Sequence, residues 1–282
     1  MGGGLTIIDP PENTVEGLCV LVCDISGSMD EPAFANHPAE KLKIIVGAIH
    51  KAIAELQSLA RADTAYIAIV AFGEKAGLVL DANDQPFVKS VSQIMREYGE
   101  YAAKLPGYLY NYFKEDTGQF GRGATNMTEA LQVARAIYDA TLAGNLSALG
   151  IDASAKLIEH SDIVTQSGQA ITVPNIRVMI YSDGGHTVGT LSNAFDGTSP
   201  SPLMTAFIGD ENESPGHRLG ADQMRMLANT CPEHGQKGYF LINAPERHAV
   251  LRNLFRMASG ASGFCPQCLR RQFGTVENVA QA

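Results

Sequence analysis

Basic residues are scarce in this chain: 21 Lys and Arg stand against 30 Asp and Glu, a formal net charge of −9 at pH 7. That balance argues against a nucleic-acid-binding surface, which needs clustered Lys and Arg to replace the counterions on phosphate, and suits cations and basic partners better. Tryptophan is absent and aromatic residues make up 7%, while apolar residues reach 45% and charged ones 18%, the make-up of a globular domain with disorder confined to the ends. No stretch approaches the roughly 20 continuous apolar residues that cross a bilayer, so no membrane partner is expected. The first residues show no basic region followed by an apolar one, and the expectation is a cytoplasmic protein. The opening Met1-Gly2-Gly3-Gly4 reads as part of a flexible arm.

Cysteine is also sparse, five residues unevenly placed. Cys19 and Cys23 lie four apart in an apolar run; on an extended strand that is roughly 13 Å at about 3.3 Å per residue, too far for a disulfide, so they read as core side chains. Cys231, Cys265 and Cys268 near the end belong to a different chemistry.

What the chain does have is a set of five near-continuous apolar runs, Leu18–Cys23, Ala65–Phe72, Ile176–Tyr181, Leu203–Ile208 and Tyr239–Ile242, of the length and β-branched content of strands buried on both faces. Helical periodicity lies between them, clearest at Ala39–Ala60 and also at Thr128–Leu142, Ala221–Asn229 and Glu246–Ala258. The alternation predicts an α/β fold: a doubly wound, mostly parallel central sheet flanked by helices on both faces, with one short antiparallel strand near Gly77–Leu80. Two stretches fit poorly and read as insertions, about 81–122, with a helix near Val88–Leu105 and tyrosines at 98, 101, 108, 110 and 112, and about 145–174. In such sheets functional groups gather in loops at the carboxyl ends of the strands.

The first run ends in Asp24-Ile25-Ser26-Gly27-Ser28-Met29, one carboxylate and two hydroxyls at alternate positions of a tight loop. A small hard cation wants about six oxygens, and hydroxyls with retained waters supply them without neutralising it. Gly121-Arg122-Gly123-Ala124-Thr125-Asn126 offers a third hydroxyl at a helix entrance, and Met179-Ile180-Tyr181-Ser182-Asp183 closes another buried strand with a carboxylate at the same edge of the sheet.

This pattern resembles the von Willebrand factor type A family, whose metal ion-dependent adhesion site is Asp-x-Ser-x-Ser, then a Thr, then an Asp. The resemblance covers roughly residues 16 to 259. It divides the chain into an arm over 1–15, the domain over 16–260 and a tail over 261–282. It implies that Ser26 and Ser28 bind Mg²⁺, Mn²⁺ or Ca²⁺ directly, that Asp24 and Asp183 act mostly through waters, and that Thr125 joins or leaves with conformation. One coordination place then stays open for a partner's Glu or Asp. The function implied is a non-enzymatic, metal-dependent protein-binding module; in bacteria, free-standing domains of this kind often work with AAA+ ATPases of the MoxR type or with kinase and phosphatase modules. Two alternatives remain: a metal-dependent hydrolase, for which no nucleophile elbow or phosphate loop is present and only His186 suggests a base, and a scaffold whose metals are only structural. Asp30, Glu31, Asp210 and Glu211 follow two of the runs and read as solvated loop acids, with a second cation site as the rarer alternative.

Near the end, Cys231-Pro232-Glu233-His234 and Cys265-Pro266-Gln267-Cys268 share the form Cys-Pro-x-ligand, and the two-residue gap lets both side chains of a knuckle reach one ion. Together they make a Cys₃His zinc set, expected at the pole of the sheet remote from Asp24. His248 is the second choice for the fourth ligand, and a thioredoxin-like redox pair at Cys265 and Cys268 is the main rival. The rival is disfavoured because that pair is expected to follow a helix end, whereas redox pairs open a helix.

Overall fold

Strand β1 (Gly17–Asp24) is buried along its whole length, because it lies mid-sheet with helices on both sides; that is why it carries no alternating polar residue. The computed structural model describes residues 14–34, 37–56, 62–115, 119–149, 157–243, 253 and 263–273. In it, β1 pairs in parallel with β2 (Ala65–Phe72) on one side and with Ile176–Ser182 on the other. Two short antiparallel strands share the outer edge of β2: β3 (Ala76–Leu78) and β4 (Val88–Ser90). With Ile176–Ser182 as β5, Leu203–Ile208 as β6 and Tyr239–Ile242 as β7, the sheet has seven strands in the order β7-β6-β5-β1-β2-β3, with β4 also on β2. The chain starts in the middle, builds outward to one edge, then crosses to build the other.

The pleat of β1 divides the core. Cys19, Leu21 and Cys23 face one side, packed with α1 (Lys41–Leu56), α2 (Val91–Tyr98) and α3 (Leu105–Lys114). Leu18, Val20 and Val22 face the other, with α4 (Met127–Leu142) and α5 (Pro215–Leu227). Cys19 and Cys23 are fully buried core residues, neither of them in a disulfide. A last helix, α6 (Pro266–Phe273), carries the terminal cysteine pair. Among the described residues no helix is long and apolar enough to cross a membrane.

The buried strands fall where the apolar runs predict them; three helical expectations need correction. A single helix over Val88–Leu105 is replaced by two, because Gly99 turns the chain with φ +84° and a capping box at Ser90 and Gln93 starts α2 only after β4 has ended. The helix expected at Ala221–Asn229 starts earlier, at Pro215, where the Ser214 hydroxyl accepts the His217 N–H and proline occupies the first turn. The helix expected from Ala39 starts at Lys41, since His37–Glu40 forms a strand against Pro32–Phe34. Apart from Asn253, which is helical and buried, the helix expected at Glu246–Ala258 lies outside the described residues, as do the alternative ligand His248, most of the arm and half of the tail.

The tyrosines of 81–122 mostly pack. The Tyr108 hydroxyl donates to the Leu80 carbonyl at 2.7 Å, Tyr112 accepts the Leu80 N–H at 3.2 Å and Tyr110 donates to Glu40 at 2.8 Å, while Tyr98 is buried and Tyr101 exposed. Residues 160–164 and 170–174 form an antiparallel hairpin.

Candidate metal centres

Asp24 ends β1 and Asp183 directly follows β5, so adjacent parallel strands deliver two carboxylates to one edge of the sheet. Both are buried, at 0% and 1% exposure. Asp24 Oδ1 accepts the Ser26 N–H at 2.8 Å, which tightens the loop, and its Oδ2 accepts the Ser182 hydroxyl at 2.6 Å. The Ser26 and Ser28 hydroxyls lie 3.2 Å apart, and Ser28 donates to Asp183 Oδ1 at 2.8 Å. Asp24, Ser26, Ser28 and Asp183 are thus brought together in one connected set of oxygens.

These spacings test the fit to a cation. Neighbouring oxygens of an octahedral shell with bonds of about 2.1 Å stand about 3.0 Å apart. The Ser26–Ser28 separation of 3.2 Å is close to that edge, and Asp183, expected to act through water, lies a hydrogen bond of 2.8 Å from Ser28. The electrostatics agree. Burial first, and then the charge of Asp183, push the Asp24 carboxyl up to about 7, against hydrogen bonds from Ser182 and Ser26 that pull it down. Two buried carboxylates side by side favour a proton or a cation between them.

Thr125 stands outside that set. It is buried, and its loop is tied to the one after Asp183: Thr125 N–H donates to the Thr187 hydroxyl at 2.8 Å and Thr187 N–H to the Thr125 carbonyl at 2.9 Å. Two glycines let these loops pack closely on their other neighbours, the end of β2 and α5. A Cβ on Gly73 would lie 1.7 Å from the Gly121 carbonyl oxygen, and one on Gly220 would lie 2.6 Å from the Gly184 backbone, so α5 packs directly on the loop that carries Asp183.

Three further residues shape the site without a motif to announce them. Arg122 reaches from the Thr125 loop to the Asp24 loop: its backbone carbonyl accepts the Gly27 N–H at 2.8 Å, its Nε donates to the Ile25 carbonyl at 2.6 Å, and its guanidinium grips both oxygens of Asp30. Ser182 orients Asp24, as above. Lys41, the first residue of α1, is 2% exposed and its Nζ lies 2.6 Å from Asp183 Oδ2. The remaining loop acids are paired with cations, Asp30 with Arg122 and Lys114 and Glu211 with Arg225, or turn-forming, as Asp210 accepts the Asn212 N–H.

The second centre lies at the amino ends of the parallel strands. Thr230 bridges Lys237 just before β7, and Arg177, at the start of β5, donates from Nε to the Gly263 carbonyl at 2.9 Å, which holds the segment leading to α6 at that end. Its guanidinium stacks 3.7 Å over the Phe264 ring. The Cys231, Cys265 and Cys268 sulfurs and a His234 ring nitrogen all lie within 4.8 Å of one another. Cys268 Sγ is 3.7 Å from both Cys231 Sγ and Cys265 Sγ, and the three sulfurs are 3.4 to 3.5 Å from His234 Nδ1. Tetrahedral zinc with Zn–S of about 2.3 Å and Zn–N of about 2.0 to 2.1 Å has S···S edges near 3.8 Å and S···N edges near 3.6 Å. The cluster has those dimensions. Its sulfurs do not share negative charge evenly: Cys265 and Cys268 beside it push the Cys231 thiol up, while Cys231 and Cys265 hold that of Cys268 well below the ordinary range.

One expectation about this pair is corrected. Cys265 directly precedes α6 and Cys268 sits in its first turn, so the pair opens a helix, whatever precedes it. Position alone therefore does not separate zinc from redox chemistry; the approach of Cys231 and His234 favours a metal, since a dithiol pair needs neither.

The arrangement is similar to that of solved von Willebrand factor type A structures. Solved structures with a similar fold include a von Willebrand factor type A protein from Catenulispora acidiphila (TM-score 0.45, 17% identity, covering 87% of this chain and 42% of that one). Proximal thread matrix protein 1 from the mussel byssus, with a zinc-occupied MIDAS motif, gives a TM-score of 0.43 at 12% identity over 88% of this chain and 48% of its own. The conserved hypothetical protein BatB from Bacteroides thetaiotaomicron gives 0.46 at 12% identity over 87% of this chain and 98% of its own. This chain spans less than half the length of the first two. No family model and no curated protein matches the sequence. These are likenesses of fold at low identity, and the chemistry rests on this chain's own residues.

Proposed function

We propose that this protein is a non-enzymatic binding module that captures an acidic residue of a partner protein through a divalent cation, Mg²⁺ or Mn²⁺, held at the Asp24 loop. The observation that carries the reading is the connected set Asp24, Ser26, Ser28 and Asp183 at the carboxyl edge of β1 and β5. When bound, the cation supplies a positive centre that a carboxylate can ligate. The protein's own part is preorganisation. Ser182 and the Ser26 N–H fix both oxygens of Asp24, Arg122 clamps the loop from the side, and the two serine hydroxyls contribute oxygen without further negative charge.

A catalytic reading finds less support. The Nδ1 of His186 accepts the Met127 N–H at 3.1 Å and its Nε2 is buried, so the imidazole is engaged structurally rather than presented as a base; burial also lowers its pKa. Zinc at Cys231, His234, Cys265 and Cys268 has a fastening role in this reading, since four protein ligands leave no place for a substrate water. AAA+ ATPases and kinase or phosphatase modules are the partner classes to test first, in a cytoplasmic setting.

Capture of partner proteins on immobilised wild type and Asp24→Ala, each with Mg²⁺ and with EDTA, tests the proposal. Capture that needs both Mg²⁺ and Asp24, and is lost when an acidic residue of the captured protein is neutralised, supports it. Capture indifferent to EDTA overturns it, and Mg²⁺ binding without any Mg²⁺-dependent partner would make the protein a scaffold instead.

A further inference from the structure

The Asp24 site already contains a cation, and it belongs to the protein. Lys41 is 2% exposed, and its ammonium lies 2.6 Å from Asp183 Oδ2, 3.3 Å from the Ser28 carbonyl oxygen and 3.5 Å from Glu31, whose own side chain is largely solvent-exposed. Lysine is almost never buried to this degree unless paired. Here the pairing is with a motif residue, and it divides the Asp183 carboxylate: Oδ1 takes the Ser28 hydroxyl and Oδ2 takes Lys41. The local backbone imposes the arrangement. The strands Pro32–Phe34 and His37–Glu40 fold the chain back on itself after the motif, and the Lys41 N–H donates to the Glu31 carbonyl at 3.1 Å, which brings the first residue of α1 back beside the loop it had left. The stem of Lys41 then runs within reach of Gly209, just past the end of β6.

We propose that Lys41 is a resident counter-cation of the metal site, which weakens binding of the divalent ion but leaves the loaded site more attractive to a carboxylate. The inference rests on the metal-binding reading above and adds to it a residue and a sign. Two aspartates and a divalent ion sum to zero charge, and a site of zero charge has little long-range pull on an anion. With the ammonium of Lys41 the sum is +1, and the Glu31 carboxylate 3.5 Å from that ammonium, 65% exposed, offsets it only in part because solvent screens it. The same charge opposes arrival of the metal and favours arrival of the partner's carboxylate, so one substitution should move the two affinities in opposite directions. A purely structural lysine, needed only to fill space or brace α1, would not do that. The metal-free site is also kept from collapsing, since Asp183 keeps a cationic partner at all times.

The test is calorimetry with Mn²⁺ at low ionic strength on wild type, Lys41→Met, which keeps the aliphatic stem, and Lys41→Arg, which keeps the charge. Acetate is then titrated into each Mn²⁺-loaded protein while water-proton relaxation reports displacement of metal-bound water. Lys41→Met should bind Mn²⁺ about tenfold more tightly or better, from removal of one like charge a few ångströms away, and should need more acetate to displace water. Lys41→Arg should resemble wild type in both. Equal or weaker Mn²⁺ binding by a folded Lys41→Met, or parallel movement of the two affinities, overturns the inference while leaving the metal site standing. Failure of both wild type and Lys41→Met to bind Mn²⁺ overturns the metal-binding reading and the inference together. The wild type supplies a check free of mutants: Mn²⁺ should broaden the ¹³Cε signal of one buried lysine, assigned to Lys41, beyond detection, and a sharp signal at saturating Mn²⁺ refutes the proposal.

Discussion

The hydroxyl of Ser28 donates to Oδ1 of Asp183 at 2.8 Å, and that single bond ties the loop after the central strand to the end of the strand beside it. Whatever alters one of these loops is felt by the other, and the consequences can be measured.

Asp24→Asn separates charge from shape. The amide keeps an oxygen to accept a hydrogen bond but removes a carboxylate that burial and Asp183 already disfavour. In metal-free buffer at pH 8 its melting temperature should equal or exceed that of wild type, while the rise in melting temperature that Mg²⁺ gives wild type should disappear. A mutant that melts well below wild type without metal would contradict this account of the site.

The response to pH should change sign with metal. Asp24 sits at about 7 in the fold against an ordinary 3.8, so the folded state binds its proton more tightly than the unfolded state does. Its contribution to metal-free stability is therefore complete below about pH 4 and lost as pH rises through about 7. With saturating Mg²⁺ the proton and the cation compete, so metal affinity should fall as pH drops from 8 to 6 and the stabilisation by Mg²⁺ should fall with it. Melting curves across that range, in EDTA and in Mg²⁺, give both slopes, and slopes of the same sign would refute the assignment.

Thr125→Ala should disturb binding more than folding. Its backbone ties to Thr187 survive the substitution, and loss of one hydroxyl outside the connected set should cost roughly 1 kcal/mol or less. Partner capture should weaken while denaturant midpoints barely move. Unchanged capture by the folded variant would remove Thr125 from the site.

At the other pole, elemental analysis of protein prepared without chelators should find about one zinc per chain, absent in Cys265→Ser. Because thiolate-bound metal couples to folding, a strong chelator should lower the melting temperature beyond the effect of removing Mg²⁺ alone. Zinc-free protein with an unchanged melting profile would leave the cluster as four packed side chains.

The parallel strands are legible because burial on both faces removes every polar alternate, as at Val20-Leu21-Val22 between Cys19 and Cys23. Asp24 and Asp183 are legible for a related reason: the carboxylate marks where each such run stops. Lys41 is not, because nothing in its neighbours says that the strands before it fold back and return the helix start to the motif. Arg122 is hidden likewise; its sequence neighbours suggest a loop, and only its bonds to Ile25, Gly27 and Asp30 reveal which loop it meets. The break at Gly99 is local and glycine-marked, yet the helical pattern on either side masks it. The cysteine knuckles can be read by spacing, but not the helix that Cys265 opens, since eight residues hold too little periodicity to register.

Strands β1 and β5 are neighbours in space, but Ser28 and Asp183 are 155 residues apart along the chain. A ribosome therefore exposes the Asp24 loop long before its other half exists, and no amino-terminal fragment ending before Asp183 carries the whole proposed site. In the proposed reading, cation binding at this edge would report that β5 has paired with β1. For a chain emerging from synthesis, the proposed competence to engage a partner would arrive only once β5 is in place.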